Sequence, residues 1–257
     1  MSTNNRTGRK RDYVGVLSSV FAIVIGLLVG FVILLICNPS QALPGFVTIL
    51  TGAFTHGLKG VGQVFYYATP IILTGLSVGF AFKTGLFNIG TPGQFIVGAF
   101  AAVYVGIMWT GLGRIQWAVA LLAAILGGAL WGMVPGFLKA CFNVNEVIAS
   151  IMMNYIGMYM VNWIVKSYKP LFNNLRNESR NVAATAQIPK MGMDKLFPES
   201  SVGGGILLAI AAVLIIWVIL NKTTFGYELK AVGFNRDASR YAGINEKRNI
   251  IMSMVIA

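Results

Sequence analysis

The chain has 257 residues, of which 56% are hydrophobic and only 11% are charged, and its net charge is +12. A soluble domain carries about a quarter of its residues as Asp, Glu, Lys or Arg, so this composition excludes an ordinary water-soluble domain. The mean hydropathy of +0.72 comes from apolar blocks near or above the roughly 18 to 20 residues that cross a bilayer. The sequence therefore predicts an all-α protein, a polytopic transmembrane helix bundle.

The first apolar block covers residues 13–37 and follows four basic residues, Arg6, Arg9, Lys10 and Arg11. A signal peptide has an apolar core of about 7–15 residues and then a small-x-small cleavage site. The block at residues 13–37 is longer than a signal-peptide core, and no cleavage site of this kind follows it. We interpret the block as the first transmembrane helix and residues 1–12 as a basic cytoplasmic tail.

Six more apolar segments follow along the chain. Five of them are long enough to be spans, at residues 63–82, 92–109, 115–138, 147–165 and 204–220. The last begins near Asn249 and has about nine residues before Ala257, which is too short to cross a bilayer. We expect one membrane domain over residues 13–257, with about six complete spans and the start of a seventh, in a protein that continues past this chain.

Small residues inside the apolar blocks predict close helix packing, because a missing side chain lets two backbones approach and gain van der Waals contact. The glycines in question lie in the first, second and fourth blocks, namely Gly26, Gly30, Gly75, Gly79, Gly127, Gly128 and Gly132. We expect these helices to form a bundle rather than separate anchors.

The distribution of Lys and Arg predicts the orientation. With the N-terminus inside, twelve of the 20 basic residues fall on the cytoplasmic side, and six of the other eight lie in the stretch 166–203. Cytoplasmic loops carry the excess of basic residues, and long loops constrain orientation less than short ones. We therefore expect a cytoplasmic N-terminus, an extracellular loop at 166–203 and a cytoplasmic loop at 222–248. Because the charges lie at span ends, lipid is an expected partner and nucleic acid is not.

The spans contain few groups able to do chemistry. Acidic residues avoid the span interiors, and Glu146 at the start of the fifth helix has a structural interpretation, since the helix dipole favours a carboxylate there. His56 has no nearby Cys, Asp or Glu, and the two cysteines, Cys37 and Cys141, are far apart. No catalytic group, metal site or cofactor is expected. An ionisable coupling group is also missing, which leaves sodium coupling through backbone carbonyls as an open alternative.

The first informative segment is residues 85–94, GLFNIGTPGQ, which interrupts two apolar blocks. Thr91 is suited to cap a helix and Pro92 to occupy its first position. Broken backbone beside a cavity exposes N–H and C=O groups that bind polar solutes in transporters, and Asn88 and Gln94 would add side-chain amides. An ordinary tight cytoplasmic turn explains the segment equally well.

The second informative segment is residues 224–245, TFGYELKAVGFNRDASRYAGIN. We expect Gly233 to end one short helix, Asn235 to cap a second with Asp237 in its first turn, and Gly243 to end that one. The second helix would have about two turns.

The second helix would present a small apolar face, because Ala238, Tyr241 and Ala242 lie at positions i, i+3 and i+4. Such a face suits a groove on a partner protein. The alternative is a surface helix on the inner leaflet, with Arg236 and Arg240 at lipid phosphates. The residues alone leave both open.

Three segments together carry a family resemblance: residues 88–94 (NIGTPGQ), 145–155 (NEVIASIMMNY) and 231–244 (AVGFNRDASRYAGI). In this order they resemble the permease subunits of ATP-binding-cassette importers, in the nucleoside and simple-sugar branch related to the ribose and branched-chain amino acid permeases. The resemblance runs from about Gln63 to the C-terminal end. It implies that residues 233–244 form the coupling helix, which docks in a groove of the ATPase.

The resemblance also implies site residues and partners. The ATPase-coupling candidates are Gly233, Asn235, Ala238, Tyr241, Ala242 and Gly243. The candidates for contact with solute are Asn88, Gly90, Gln94 and Asn154. The expected partners are a cytoplasmic ATP-binding-cassette ATPase, a second homologous permease subunit and an extracellular solute-binding lipoprotein.

The expected function is passage of a nucleoside or related small polar solute across a bacterial plasma membrane, without enzymatic activity in this chain. No P-loop pattern (G-x-x-x-x-G-K-[ST]) occurs in it, so ATP would be hydrolysed on the partner. A secondary transporter or channel is the main alternative, and a membrane scaffold without transport is a further one.

Overall fold

The computed structural model describes residues 7–257, with side chains described from Gly15 onward. Within that range the chain forms eleven α-helices. They are α1 (Thr7–Cys37), α2 (Pro39–Thr55), α3 (Gly57–Lys83), α4 (Thr91–Met108), α5 (Gln116–Phe142), α6 (Glu146–Ser167), α7 (Met193–Leu196), α8 (Gly205–Lys222), α9 (Thr224–Phe234), α10 (Arg236–Tyr241) and α11 (Glu246–Ile256).

Six of the described helical segments are long and apolar enough to cross a membrane, which confirms the predicted spans. They are Gly15–Cys37, Gly57–Lys83, Thr91–Met108, Thr110–Phe142, Glu146–Ser167 and Gly205–Lys222. The all-α fold class is therefore confirmed. The basic tail predicted at residues 1–12 lies partly outside the described residues, and from Thr7 onward the chain is already helical.

The chain divides into two compact units, the first ending at Val61 and the second covering Gly62–Ala257. In the first unit, α1 packs against α2 through the rings of Phe31 and Phe46, whose centroids are 4.8 Å apart. The helix α2 was not predicted from the sequence. Its Pro44 is typical of a break in a helix, yet the helix continues, and the Thr48 hydroxyl donates to the Pro44 carbonyl at 2.9 Å.

In the second unit α5 is the central helix and contacts α4, α6 and α11. The close approach of α4 and α5 depends on small residues, as predicted. A Cβ on Gly98 of α4 would lie 2.9 Å from the Ala124 carbonyl oxygen, and one on Gly127 would lie 3.2 Å from the Ala101 Cβ. Gly128 and Gly132 also lie against neighbouring atoms of α4 or α11. The prediction is wrong for Gly26, Gly30, Gly75 and Gly79, where a Cβ meets nothing within 4 Å.

The segment 166–203 is folded rather than extended. It contains a hairpin of β1 (Phe172–Asn173) and β2 (Glu178–Ser179), which pair antiparallel, a 3-10 turn at Ala184–Ala186, and the single turn α7. The backbone N–H of Ala183 donates to the Gly106 carbonyl at 3.0 Å. This bond holds the segment against the end of α4, away from the end where α9 to α11 lie.

Candidate functional site

The break between α3 and α4 begins with a Gly-terminated helix end. Gly85 adopts φ +70°, a conformation that glycine accepts without strain. The N–H of Leu86 donates to the Ala81 carbonyl at 3.2 Å and the N–H of Gly85 to the Phe82 carbonyl at 3.1 Å. This pair of bonds is the Schellman pattern, which satisfies the last carbonyls of α3 and turns the chain away from the helix axis.

Two amide side chains, Asn88 and Gln94, hold the break in place. The Oδ1 of Asn88 accepts from the Gly90 N–H at 2.9 Å, and its Nδ2 donates to the Oε1 of Gln94 at 2.9 Å. The Nε2 of Gln94 then donates to the Met254 carbonyl in α11 at 3.1 Å. Both side chains are buried, with 2% of Asn88 and 7% of Gln94 exposed. In this conformation the two amides bond to the protein itself.

The third amide, Asn154 of α6, holds the break from the opposite side. Its Oδ1 accepts from the Gly93 N–H at 2.8 Å and its Nδ2 donates to the Ile89 carbonyl at 2.8 Å. The structure thus brings the four solute-contact candidates together, with the backbone of Gly90 between Asn88 and the Ser150 side chain.

The predicted start of α4 is correct to within one residue, but the predicted cap is wrong. Gly90 occupies the N-cap position and no side chain caps the helix. Thr91 is the first helical residue, and its hydroxyl lies 3.1 Å from the Ser77 hydroxyl of α3. The Thr91 hydroxyl therefore bonds to another helix, and at a longer 3.5 Å to the Asn88 carbonyl, instead of capping α4.

An apolar groove opens beside the break, between α3 and α4, with a volume of about 690 Å³. Pro70 and Thr74 of α3 line one wall, and Pro92 and Phe95 of α4 line the other. Asn88 also contributes to the lining, so a candidate amide borders the groove even though its polar atoms are occupied.

The second informative segment forms the two helices α9 and α10. The Oδ1 of Asn235 accepts from the Ala238 N–H at 3.0 Å, which confirms Asn235 as the cap of α10. Gly243 adopts φ +80°, and the N–H of Ile244 donates to the Ser239 carbonyl at 3.0 Å. Gly243 therefore ends α10 as predicted. The helix Arg236–Tyr241 has six residues, close to the predicted two turns.

The prediction that Gly233 ends the preceding helix is wrong, because α9 continues to Phe234. Gly233 instead allows a close approach between backbones. A Cβ there would overlap the Lys83 carbonyl oxygen and would lie 3.1 Å from the Gly85 nitrogen. The two segments singled out in the sequence therefore touch at Gly85 and Gly233. We call this contact the glycine joint.

The face of α10 that was predicted to meet a partner is exposed. Tyr241 is 95% exposed, neighbouring Phe234 is 91% exposed, and Ala238 and Ala242 are also at the surface. The opposite side of α10 faces the protein, since Ser239 is buried and only 4% exposed. Large apolar groups presented this way mark interaction surfaces.

The break, the α9 helix and the α11 helix share one apolar core, formed by Ala81, Leu86, Val232, Ile250 and Met254. A hydroxyl bond of 2.8 Å from Thr84 to Ser253 lies beside it. The Nδ2 of Asn249 donates to the Glu228 carboxylate at 3.0 Å, which ties α11 to α9. The α9 helix, the break and the α11 helix are therefore held together by both apolar packing and hydrogen bonds.

Lys139 and Glu146 form an ion pair between the end of α5 and the start of α6, with Nζ and Oε2 2.9 Å apart. Both side chains are mostly buried, at 13% and 17% exposure. The pair fixes the turn between the two helices and agrees with a structural interpretation of Glu146.

The chain is similar to known permeases over most of its length. It is 41% identical over 238 residues to the guanosine ABC transporter permease protein NupP of Bacillus subtilis (strain 168), covering 93% of this chain and 67% of that protein. It is 34% identical over 260 residues to the nucleoside ABC transporter permease protein NupB of Lactococcus lactis subsp. cremoris (strain MG1363), covering 99% and 69%. It is 32% identical to the glucose ABC transporter permease protein TsgB13 of Haloferax volcanii, covering 78% and 53%. No solved structure matches the chain.

Six described helical segments long and apolar enough to cross a membrane indicate a multi-pass membrane protein. The family described as branched-chain amino acid transport system / permease component matches residues 60–257, and the chain belongs to that family. It spans about two thirds of the length of the two nucleoside relatives.

Proposed function

We propose that the chain is the permease subunit of an ATP-binding-cassette importer that passes nucleosides into the cell. The observation that carries the proposal is the similarity at 41% and 34% identity to permeases named for guanosine and for nucleosides. A cytoplasmic ATPase hydrolyses ATP, an extracellular lipoprotein delivers solute, and a second homologous permease completes the pathway.

The exposed face of α10 supports α10 as the docking site for the ATPase. Phe234 and Tyr241 project beside the small residues Ala238 and Ala242, a pattern suited to a groove on another protein. In this proposal residues 222–248 and the N-terminus are cytoplasmic, and residues 166–203 are extracellular. Residues 13–257 form the membrane domain.

The groove between α3 and α4 supports a solute path that runs beside Asn88. Asn88 borders it and bonds to Gln94 behind it. A nucleoside carries several donors and acceptors, so it can replace the Asn88 to Gln94 bond and leave neither amide unpaired. Such an exchange avoids the cost of about 1–3 kcal/mol for each buried polar group left without a partner.

Uptake measurements test the proposed function. We expect cells that carry the complete transporter to accumulate radiolabelled guanosine, and we expect uptake to stop when the P-loop lysine of the partner ATPase is replaced. Cells with this chain deleted are the control. Uptake that persists without a working ATPase would indicate a secondary transporter, and uptake that persists after deletion of the chain would indicate a scaffold.

Transport kinetics test the solute path. We expect Asn88→Ala and Gln94→Ala to raise the KM for guanosine by about tenfold each, because each loses a hydrogen bond of about 1–1.5 kcal/mol to solute. Rates are divided by the amount of folded transporter, since both residues also support the break. Asn162→Ala, at an exposed position on α6, is the matched control. Kinetics identical to those of that control would refute the assignment.

A further inference from the structure

A second cavity lies beside the middle of α3. It has a volume of about 700 Å³ and is formed by residues 66–70 of α3, residues 187–188 and the segment that leads into α8. Its lining includes Tyr66, Tyr67, Thr69, Gln187, Ser201 and Gly205. We call it the outer cup. From Tyr66 to Lys83 the helix rises roughly 25 Å at 1.5 Å per residue, so the cup and the joint are separated by most of the roughly 30 Å thickness of a bilayer's hydrocarbon core.

The walls of the outer cup are held by packing and hydrogen bonds. Phe65, next to Tyr66, packs against Phe197 with ring centroids 5.4 Å apart. The N–H of Gly204 donates to the Pro189 carbonyl at 2.9 Å, which closes the segment between residues 187 and 205. A cavity with walls of this kind is present before a ligand arrives, as is usual for small-molecule sites.

The chemistry of the lining suits a flat, neutral, polar-edged ligand. Tyr66 and Tyr67 present two aromatic rings, with centroids 5.2 Å apart in an edge-to-face arrangement, and Tyr67 is 60% exposed. Aromatic faces stack on nucleobases of any sequence. Gln187 and Ser201 add an amide and a hydroxyl, and the first N–H groups of α8 have no acceptor within the helix.

Charge narrows the ligand class further. In the part of the chain that the structure describes, the residues that line the outer cup carry no charged side chain. A phosphate or an amino-acid zwitterion entering the cup would lose hydration without gaining an ion pair, at a large cost in free energy. The cup therefore favours neutral solutes over nucleotides and amino acids.

We propose that the outer cup is a nucleoside-binding site, in which the base stacks on Tyr66 or Tyr67 and its edge bonds to Gln187 and Ser201. The volume of about 700 Å³ lies in the range of about 300–1,000 Å³ for small-molecule sites. This inference rests on the proposed function. It adds a place where solute is held at the outer face before it reaches the groove beside Asn88.

Substitutions in the complete transporter test the outer cup. We expect Tyr66→Leu combined with Tyr67→Leu to raise the KM for guanosine by about tenfold or more, since base stacking is lost while apolar volume is kept. Gln187→Leu should raise it severalfold. Tyr159→Leu is the matched control, because Tyr159 is also exposed but lies on α6 outside the cup. Cup variants with the KM of this control would overturn the inference.

Photolabelling of the wild-type transporter gives a second test that does not depend on how variants fold. We expect 8-azidoguanosine to label peptides from residues 63–70 or 187–206, and excess guanosine to remove the label while excess ribose does not. Labelling only elsewhere, or displacement by ribose as effective as by guanosine, would overturn the inference. Failure of the proposed function is distinguishable, because wild-type cells would then show no guanosine uptake that depends on both this chain and the partner ATPase.

Discussion

Replacing Gly233 by alanine is expected to lower the free energy of unfolding by about 3 kcal/mol. The new Cβ would overlap the Lys83 carbonyl oxygen and press on the Gly85 nitrogen. Both are backbone atoms, so neither helix can yield by changing a rotamer, and overpacking of this kind costs about 1–3 kcal/mol. Thermal unfolding of the purified protein in detergent measures the effect, which should lower Tm by roughly 5 to 10 °C.

Gly79→Ala is the matched control for the glycine joint. Gly79 also lies in a helix, but a Cβ there meets nothing within 4 Å. Alanine has the higher helix propensity, so this variant should be as stable as the wild type or slightly more stable. Equal losses of Tm in both variants would show that the close approach at Gly233 contributes nothing to stability.

The second large effect is expected from Ala242→Glu at the proposed ATPase contact. In the complete transporter this variant should abolish solute-stimulated ATP hydrolysis, because a carboxylate buried in the docking groove without a partner costs several kcal/mol. Ala242 is exposed in the permease, so the fold should be unaffected. The measurement is ATPase activity with and without solute-loaded binding protein, alongside Tm.

Ala184→Glu provides the same substitution at an exposed position in the segment 166–203, remote from α10. We expect this control to retain full stimulation. If Ala242→Glu also retains full stimulation, α10 does not transmit the conformational change of the ATPase. The alternative that α10 lies on the inner leaflet, with Arg236 and Arg240 at lipid phosphates, would then be favoured.

Helix ends in the informative segments could be predicted because capping depends on residues within about four positions of one another. Asn235 and Gly243 are examples, since each makes its bonds inside residues 235–244. The six spans were predictable for a similar reason, because length and apolarity are properties of one continuous segment. The resemblance of three short motifs likewise led to the correct family.

Contacts between distant parts of the chain could not be predicted. Gly233 looked like a helix stop because its partner, the turn at Gly85, lies far away in sequence. Thr91 looked like a cap, but the Ser77 hydroxyl on another helix lies within bonding distance of it. The helix α2 was missed because a proline such as Pro44 usually breaks a helix. Packing against another helix can keep such a helix continuous, and that packing cannot be read from the neighbouring residues alone.

The sequence also did not reveal what the four solute-contact candidates do in this conformation. Asn88 and Gln94 were chosen as amides at a helix break, and Asn154 lies in a motif that carries the resemblance. The structure shows each bonded to backbone or to another amide. Whether they also contact solute stays a prediction. A Cβ on Gly132 would overlap the Nε2 of Gln94, so this glycine supports the network without contributing a polar group.

The glycine joint restricts substitution at two positions that are far apart in the sequence. Its contacts are between main-chain atoms, and the apolar core of Leu86, Val232 and Met254 packs beside it. A side chain at Gly233 is therefore tolerated only if the backbone at Lys83 and Gly85 moves away, so a mutation in one segment would have to be matched by a shift in the other.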